Sequence, residues 1–233
     1  MKKTSILLPM LAMAISILLP SCSNDDSQSG DTGYLARDLL STTLEDQSIM
    51  YFTKNNDGLA VTFDQKNIRM LEDGKAALTT YQGAVAIPER VNIDNKSYSV
   101  NAIGKWAFSN CRNVTAIQIP SSVTSLGDAC FSRTSGLQEI NIPDGISQIP
   151  SSCFIGAVSL QELELPSSVT SVGDKAFWGC TKLKVLHLLS TTPPMVDGEL
   201  TNDYSITTLY VPEGCEETYQ AHPEWGKFQI KKD

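Results

Sequence analysis

The side chains richest in chemistry are few: cysteines at 22, 111, 130, 153, 180 and 215, and two histidines, His187 and His222. A zinc-type site needs thiolate or imidazole donors at short, fixed spacing. The chain has no C-x-x-C pair and no H-E-x-x-H motif. Cys215 and His222 are the one pairing that could make a thiolate nucleophile, the imidazole taking the thiol proton. Their spacing is generic, and nothing beside them marks a third group to orient the ring. No Gly-rich phosphate loop is present either. The expectation is a chain with no catalytic residue, no metal and no cofactor. An enzyme of unknown type remains the remotest alternative, because Cys215 and residues 34–85 have no assigned role.

Charge narrows the partners. Eighteen Lys and Arg face 26 Asp and Glu, a net charge of −8. A protein that grips nucleic acid needs a basic face to meet phosphate, so nucleic acid is excluded. Electrostatic adhesion to anionic lipid is excluded on the same ground.

The first residues read as an address. Lys2 and Lys3 precede an apolar run from Ile6 to Leu19, interrupted by Pro9 and followed by Pro20-Ser21-Cys22. A short apolar run behind lysines is a secretory signal rather than a membrane span. A small residue before Cys resembles the lipobox of bacterial lipoproteins, whose Cys thiol is acylated after cleavage; Pro20 departs from that motif. Residues 1–21 are expected to be a signal peptide and Cys22 the lipid anchor, the only membrane contact. The alternative is ordinary cleavage with Cys22 as a bystander. Ser23-Asn24-Asp25-Asp26 resembles the surface-export signal of Bacteroidetes lipoproteins, which implies a surface-exposed outer-membrane protein. A solvated linker is the other reading. Residues 22–33 have nothing apolar to bury beyond Cys22 and read as a flexible tether.

The elements that would position any outward side chain are repeats. Phe108, Phe131, Phe154 and Phe177 are each 23 residues apart. Pro120, Pro143 and Pro166 keep the step, as do Val114, Leu137, Leu160, Leu183 and Ile206. Further columns run Ile117 to Leu209, Ile119 to Val211, Val100 to Val169 and Ile103 to Val172. The period is expected to hold through residues 191–204, although that stretch lacks the Phe. In Gln138-Glu139-Ile140-Asn141-Ile142, the isoleucines share one face of a strand and Glu139 and Asn141 the other. Pro143 ends it, and Asp-x-Ala/Cys-Phe reads as a brief helical turn that drives Phe inward. A single coil cannot bury its apolar side, whereas stacked coils can.

Residues 34–99 are expected to form a β-rich cap. Leu35, Leu39 and Leu40 would line a short helix, and hairpins would follow around Asp57-Gly58 and Asp94-Asn95-Lys96. Residues 100–212 are the solenoid, and residues 213–233, with Tyr219, Trp225, Phe228 and Ile230, an α/β cap.

The pattern L-x-x-I-x-I-P-x-x-V-x-x-I-G-x-x-A-F-x-x-C is similar to the BspA-like leucine-rich repeats of bacterial surface proteins, common in Bacteroidetes. The resemblance covers residues 86–230 and departs at Pro150, where Gly is usual, and at Leu189, where Pro is expected. It implies a leucine-rich-repeat solenoid, mainly β with short helical turns. It also implies a non-catalytic cell-surface binding or adhesion module whose partner is an extracellular or host protein, or alternatively a polysaccharide.

Ligand information would then sit at outward strand positions. One ladder runs Ala116, Glu139, Glu162, Val185, Thr208; the other runs Gln118, Asn141, Glu164, His187, Tyr210. A merely solvated sheet face is the competing reading. Trp106 and Trp178, beside the Phe slot, are a second candidate as sugar platforms or as edge packing. Cys130 and Cys153 share a slot in adjacent coils, either as a disulfide or as small buried thiols.

Overall fold

A computed structural model describes residues 39–43, 49–62 and 81–233. The signal segment, Cys22, the tether and Leu35 lie outside the described residues. The chain opens with β1 (Leu39–Thr43), β2 (Ile49–Lys54) and β3 (Leu59–Thr62), each antiparallel to the next. Leu39 and Leu40 are therefore strand residues, paired with Thr53 and Phe52, and not helical. A short isolated helix is marginal in water, whereas β2 offers this segment a full ladder. The expected Asp57-Gly58 hairpin is present. Gly58 is required there, because a Cβ would lie 2.4 Å from the Ser99 carbonyl oxygen.

β4 (Gly83–Ala86) is followed by the second expected hairpin, β5 (Arg90–Ile93) and β6 (Lys96–Ile103). Its turn places Asp94 and Asn95 at φ 52° and 62°, the left-handed pair that a tight two-residue hairpin needs. From here the chain coils. Two rows of parallel strands alternate along the sequence: β7 (Val114–Gln118), β8 (Ser125–Leu126), β9 (Glu139–Ile140), β10 (Gln148–Ile149), β11 (Glu162–Leu165), β12 (Ser171–Val172), β13 (Val185–Leu188), β14 (Met195–Val196) and β15 (Thr208–Val211). The odd-numbered strands form one row and the even-numbered strands the other. A helix, Glu216–Gln220, and a final strand, β16 (Gln229–Lys232), close the end, with β16 parallel to β15. This is the mainly-β solenoid the columns imply, with very little helix.

The phenylalanines form its spine. Successive ring centroids in Tyr81–Phe108–Phe131–Phe154–Phe177 are 4.8, 5.8, 5.3 and 6.1 Å apart. All five rings are buried, and Tyr81 supplies the first, ahead of the repeat. Each Phe sits at a corner built on main-chain hydrogen bonds between coils. Phe108, Phe131 and Phe154 donate their N–H to the carbonyls of Cys130, Cys153 and Ala176 at 2.8, 3.0 and 2.8 Å. The residues two before and two after donate as well: Ala129 to Ser151, Arg133 to Ile155, Ser152 to Asp174 and Gly156 to Trp178. These flanking residues have positive φ: Trp106, Ala129, Ser152 and Lys175 in one column, Asn110, Arg133, Gly156 and Gly179 in the other. With left-handed residues four apart, alternate N–H groups along the corner point at the same neighbouring coil, while those between them, at Cys130 and Ser132, bond within their own. Three donors per coil therefore face one neighbour. A left-handed L-residue costs roughly 1–2 kcal/mol, which the corner hydrogen bonds offset.

The register slips once. Strand partners lie 23 residues apart at Gln148↔Ser171 and Val185↔Thr208, but 24 apart at Ser171↔Met195. The extra residue falls between β13 and β14, where Pro193 and Pro194 hold extended backbone. Phe177 consequently donates to Leu200, so Leu200 takes the Ala176 slot and buried Thr201 falls in the Phe column. A compensating deletion before β15 leaves Ile206 37% exposed. Thr207 replaces it, buried, with its hydroxyl donating to Leu183 O at 2.6 Å. The period therefore survives the stretch as a whole, Val185 still pairing with Thr208, but inside residues 191–204 it runs one residue out of step.

Arg133 occupies a left-handed slot that Gly156 and Gly179 fill in the following coils. Arg133→Gly is expected to stabilise the fold by up to about 1 kcal/mol by relieving that strain. Urea unfolding measures it, and a destabilised variant would refute the corner description.

Candidate binding surface

The row β11–β13–β15–β16 presents alternate side chains outward, as strand geometry requires. Its ladder pairing sets Glu164 beside His187, His187 beside Tyr210, and Tyr210 beside Lys231. The parallel ladder runs Glu162, Val185, Thr208, Gln229. Glu162 and Glu164 are exposed, whereas Val185, His187, Thr208 and Tyr210 are half-buried among their neighbours.

His187 is the most constrained of these. Its ring stacks on Tyr210 with centroids 5.0 Å apart and planes 21° apart. Nδ1 lies 3.1 Å from Asp233 Oδ2, and Nε2 lies 3.7 Å from Glu162 Oε1. The ring is thus held on one face by Tyr210 and flanked by carboxylates at both nitrogens. Lys231 is the cation beside it, so the patch is acidic on balance.

Not all ten outward positions converge. The odd-numbered row is interrupted: β4, β7 and β9 form a separate three-stranded sheet. Gln118 and Glu139 belong to that sheet and are exposed. Asn141 has another task. Its amide Nδ2–H donates to Ile119 O and its Oδ1 accepts the Ile119 N–H, both at 2.8 Å. That side chain continues the strand ladder where the β9 backbone leaves it. Gln229 and Lys231 are additions that the sequence reading assigned only to a cap. The alternation Phe228-Gln229-Ile230-Lys231, apolar then polar, is the signal that identifies their strand.

The tryptophans fit a platform role poorly. Trp106 is 36% exposed, but the Lys105 ammonium lies 4.7 Å from its ring centroid. Trp178 is half-buried, with the Lys175 ammonium at 5.9 Å. A shallow groove between the hairpins is lined by Lys54, Asp57, Arg90 and Tyr98. There Lys54 covers the Tyr98 ring at 5.7 Å, and Arg90 Nε donates to Ser97 at 3.1 Å.

The thiols are structural in setting. Cys111 and Cys180 are buried, which pushes each thiol up to about 12. The Cys180 thiol donates to Phe154 O at 3.0 Å, matching Thr134, whose hydroxyl donates to Phe108 O in the same slot of an earlier coil. Cys130 and Cys153 stand as free thiols with their sulfurs 3.6 Å apart. His222 Nδ1 accepts the N–H groups of Glu224 and Trp225, so it caps a turn. Among the described residues no hydrogen bond joins it to Cys215, and no cluster of His, Cys, Asp and Glu would hold a metal ion.

These features define a leucine-rich-repeat solenoid with one acidic, preorganised sheet face. The family model for the BspA type leucine rich repeat region matches residues 90–221 in six copies. The chain belongs to that family. In fold it is similar to a leucine rich cell surface protein from Faecalibacterium prausnitzii A2-165, with TM-score 0.51, 19% identity, and 82% of this chain and 38% of that chain covered. It is also similar to the leucine rich repeat protein TpLRR of T. pallidum, with TM-score 0.53, 22% identity, and 75% and 69% covered. The chain thus spans about two fifths of the length of the first of these. None of the curated proteins matches it.

The Asn141 bridge separates structural from surface roles. Asn141→Asp replaces the donor to Ile119 O with a carboxylate and is expected to cost about 1–2 kcal/mol in urea unfolding. Glu139→Gln, one strand position away, is expected to stay within about 0.5 kcal/mol of wild type.

Proposed function

We propose that this chain is a non-catalytic cell-surface binding module that recognises a protein ligand through the outward face of β11, β13, β15 and β16. The observation that carries the reading is the ladder Glu164–His187–Tyr210–Lys231, with His187 stacked on Tyr210 and flanked by Glu162 and Asp233. Family membership supports a binding module over an enzyme. A rigid aromatic pair is a favourable anchor, because little side-chain entropy remains to be lost on docking. The surrounding carboxylates select partners that present Lys or Arg and repel acidic ones. Saccharide capture is the weaker reading, since lysines of the same chain lie over both candidate tryptophans.

The mechanism is recognition without bond-making. The solenoid fixes the strands, the strands fix the outward side chains, and affinity comes from the few that are anchored. Lys2, Lys3, the apolar run and Ser21-Cys22 support tethering of this module to the outer membrane by a lipid on Cys22, with residues 22–33 as the spacer.

Two experiments test the reading. A panel of host matrix proteins is screened beside a glycan array, and the best protein hit is titrated against His187→Ala/Tyr210→Ala. A loss of about 10-fold or more with unchanged thermal unfolding is expected, as for the removal of an interface anchor. Binding by glycans alone, or full affinity in the double variant, would overturn the protein-ligand reading. For the anchor, Cys22→Ala is expected to move the protein from membranes to the soluble fraction. Retention on membranes would show that Cys22 is no anchor.

A further inference from the structure

Both strand rows break at the same coil junction. β9 does not pair with β11, and β8 does not pair with β10, although every other neighbouring strand in the two rows is paired. For the β8–β10 break the sequence contains a cause. In the coils on either side, Gly127 N–H donates to Ile103 O and Gly173 N–H to Ile149 O, both at 2.8 Å. Pro150 stands at the equivalent position and has no N–H to give. The junction is held by the corner, through Ala129 to Ser151, Phe131 to Cys153 and Arg133 to Ile155, and by the Phe131–Phe154 stack. It is the least hydrogen-bonded seam in the stack.

Cys130 and Cys153 face each other across that seam. Both are fully buried, and their sulfurs are 3.6 Å apart. They share a slot with Ala107 and Ala176 in the flanking coils, both also buried. Hydrogen-bonded neighbouring coils bring backbones to roughly 5 Å, inside the ~4.4–6.8 Å Cα window of a disulfide. Closure shortens the sulfur separation from 3.6 Å to ~2.05 Å and turns both side chains to bring the Cβ–S–S–Cβ dihedral near ~90°. We propose that Cys130 and Cys153 are a covalent cross-linking site, oxidised to a disulfide that staples the two halves of the solenoid across the seam Pro150 opens.

The chemistry balances with a small-molecule or protein disulfide as oxidant. The thiolate of one cysteine attacks a sulfur of the oxidant and expels the first thiolate, leaving a mixed disulfide. The second cysteine attacks that bond and expels the other thiolate. Two protein thiols become one disulfide, the oxidant is reduced to two thiols, and the protons released neutralise the leaving thiolates. Burial, reinforced by Cys130, pushes the Cys153 thiol up, so exchange runs as the coils assemble or when the seam opens. The proposal does not rest on the binding reading above.

The test refolds the full chain with oxidised glutathione, alkylates without reductant, and maps tryptic peptides. Cleavage at Arg112, Arg133 and Lys175 places Cys130 in residues 113–133 and Cys153 in residues 134–175. The expected product is these two peptides linked, two hydrogens lighter than their sum. The melting temperature should rise by about 5–10 °C over the reduced chain, and a reductant should remove the gain. Cys153→Ala should fold, as Ala107 and Ala176 do in that slot, and lose all redox dependence of its melting temperature. If both cysteines of the refolded wild type are instead alkylated on separate peptides, the site does not exist. A linked chain with an unchanged melting temperature would overturn the stapling role.

Discussion

The fold depends on three main-chain donors per corner. At Ala129, Phe131 and Arg133, and again one coil later at Ser152, Phe154 and Gly156, alternate N–H groups point along the stack into the carbonyls of the next coil. L-residues do not adopt that geometry willingly. Six non-glycine corner residues, among the described ones, hold positive φ to make it. The arrangement survives because the ring between each pair of left-handed residues is buried against its neighbours above and below. Hydrogen bonds set the coil spacing, and the rings supply the apolar contact that keeps water from competing for the donors. Where a corner lacks a main-chain acceptor, a side chain substitutes. Gly179 N–H donates to Asn202 Oδ1 at 2.8 Å, in the coil where the register has slipped.

Much of this is legible in the sequence because the apolar columns are. Phe, Leu and Ile recur at 23 residues wherever the core requires bulk, and the polar residues between them mark the outward face. What stays hidden has a physical reason in each case. Left-handed backbone is normally flagged by glycine, yet Trp106, Ala129, Arg133 and Lys175 adopt it and leave only Gly156 and Gly179 as a trace in the corner columns. Ile206 occupies the arithmetically correct place in its column, but Pro193-Pro194 and the inserted residue move the buried slot to Thr207. Leu39 and Leu40 suit a helix face equally well, and only pairing with β2 decides for strand.

The site shows the same division. Alternation identifies Glu162, Glu164, Val185, His187, Thr208 and Tyr210 as outward, and the register sets them side by side. Alternation does not report that Asn141 spends its amide on Ile119, that the row stops at β9, or that β16 extends it with Gln229 and Lys231. Those features depend on contacts between coils. Inward side chains are committed to stacking, so the proposed binding face draws on a few outward positions on the best-paired part of the sheet. The seam at Pro150 divides that part from the N-terminal coils.

Residue-resolved amide hydrogen exchange tests the corner ladder most directly. The amides of Phe108, Asn110, Phe154 and Gly156, which bond across the fully paired junctions, should exchange only with global unfolding, as slowly as those of Leu163 and Leu186 in the strands. Exchange of these corner amides at the rate of exposed turns would contradict the account.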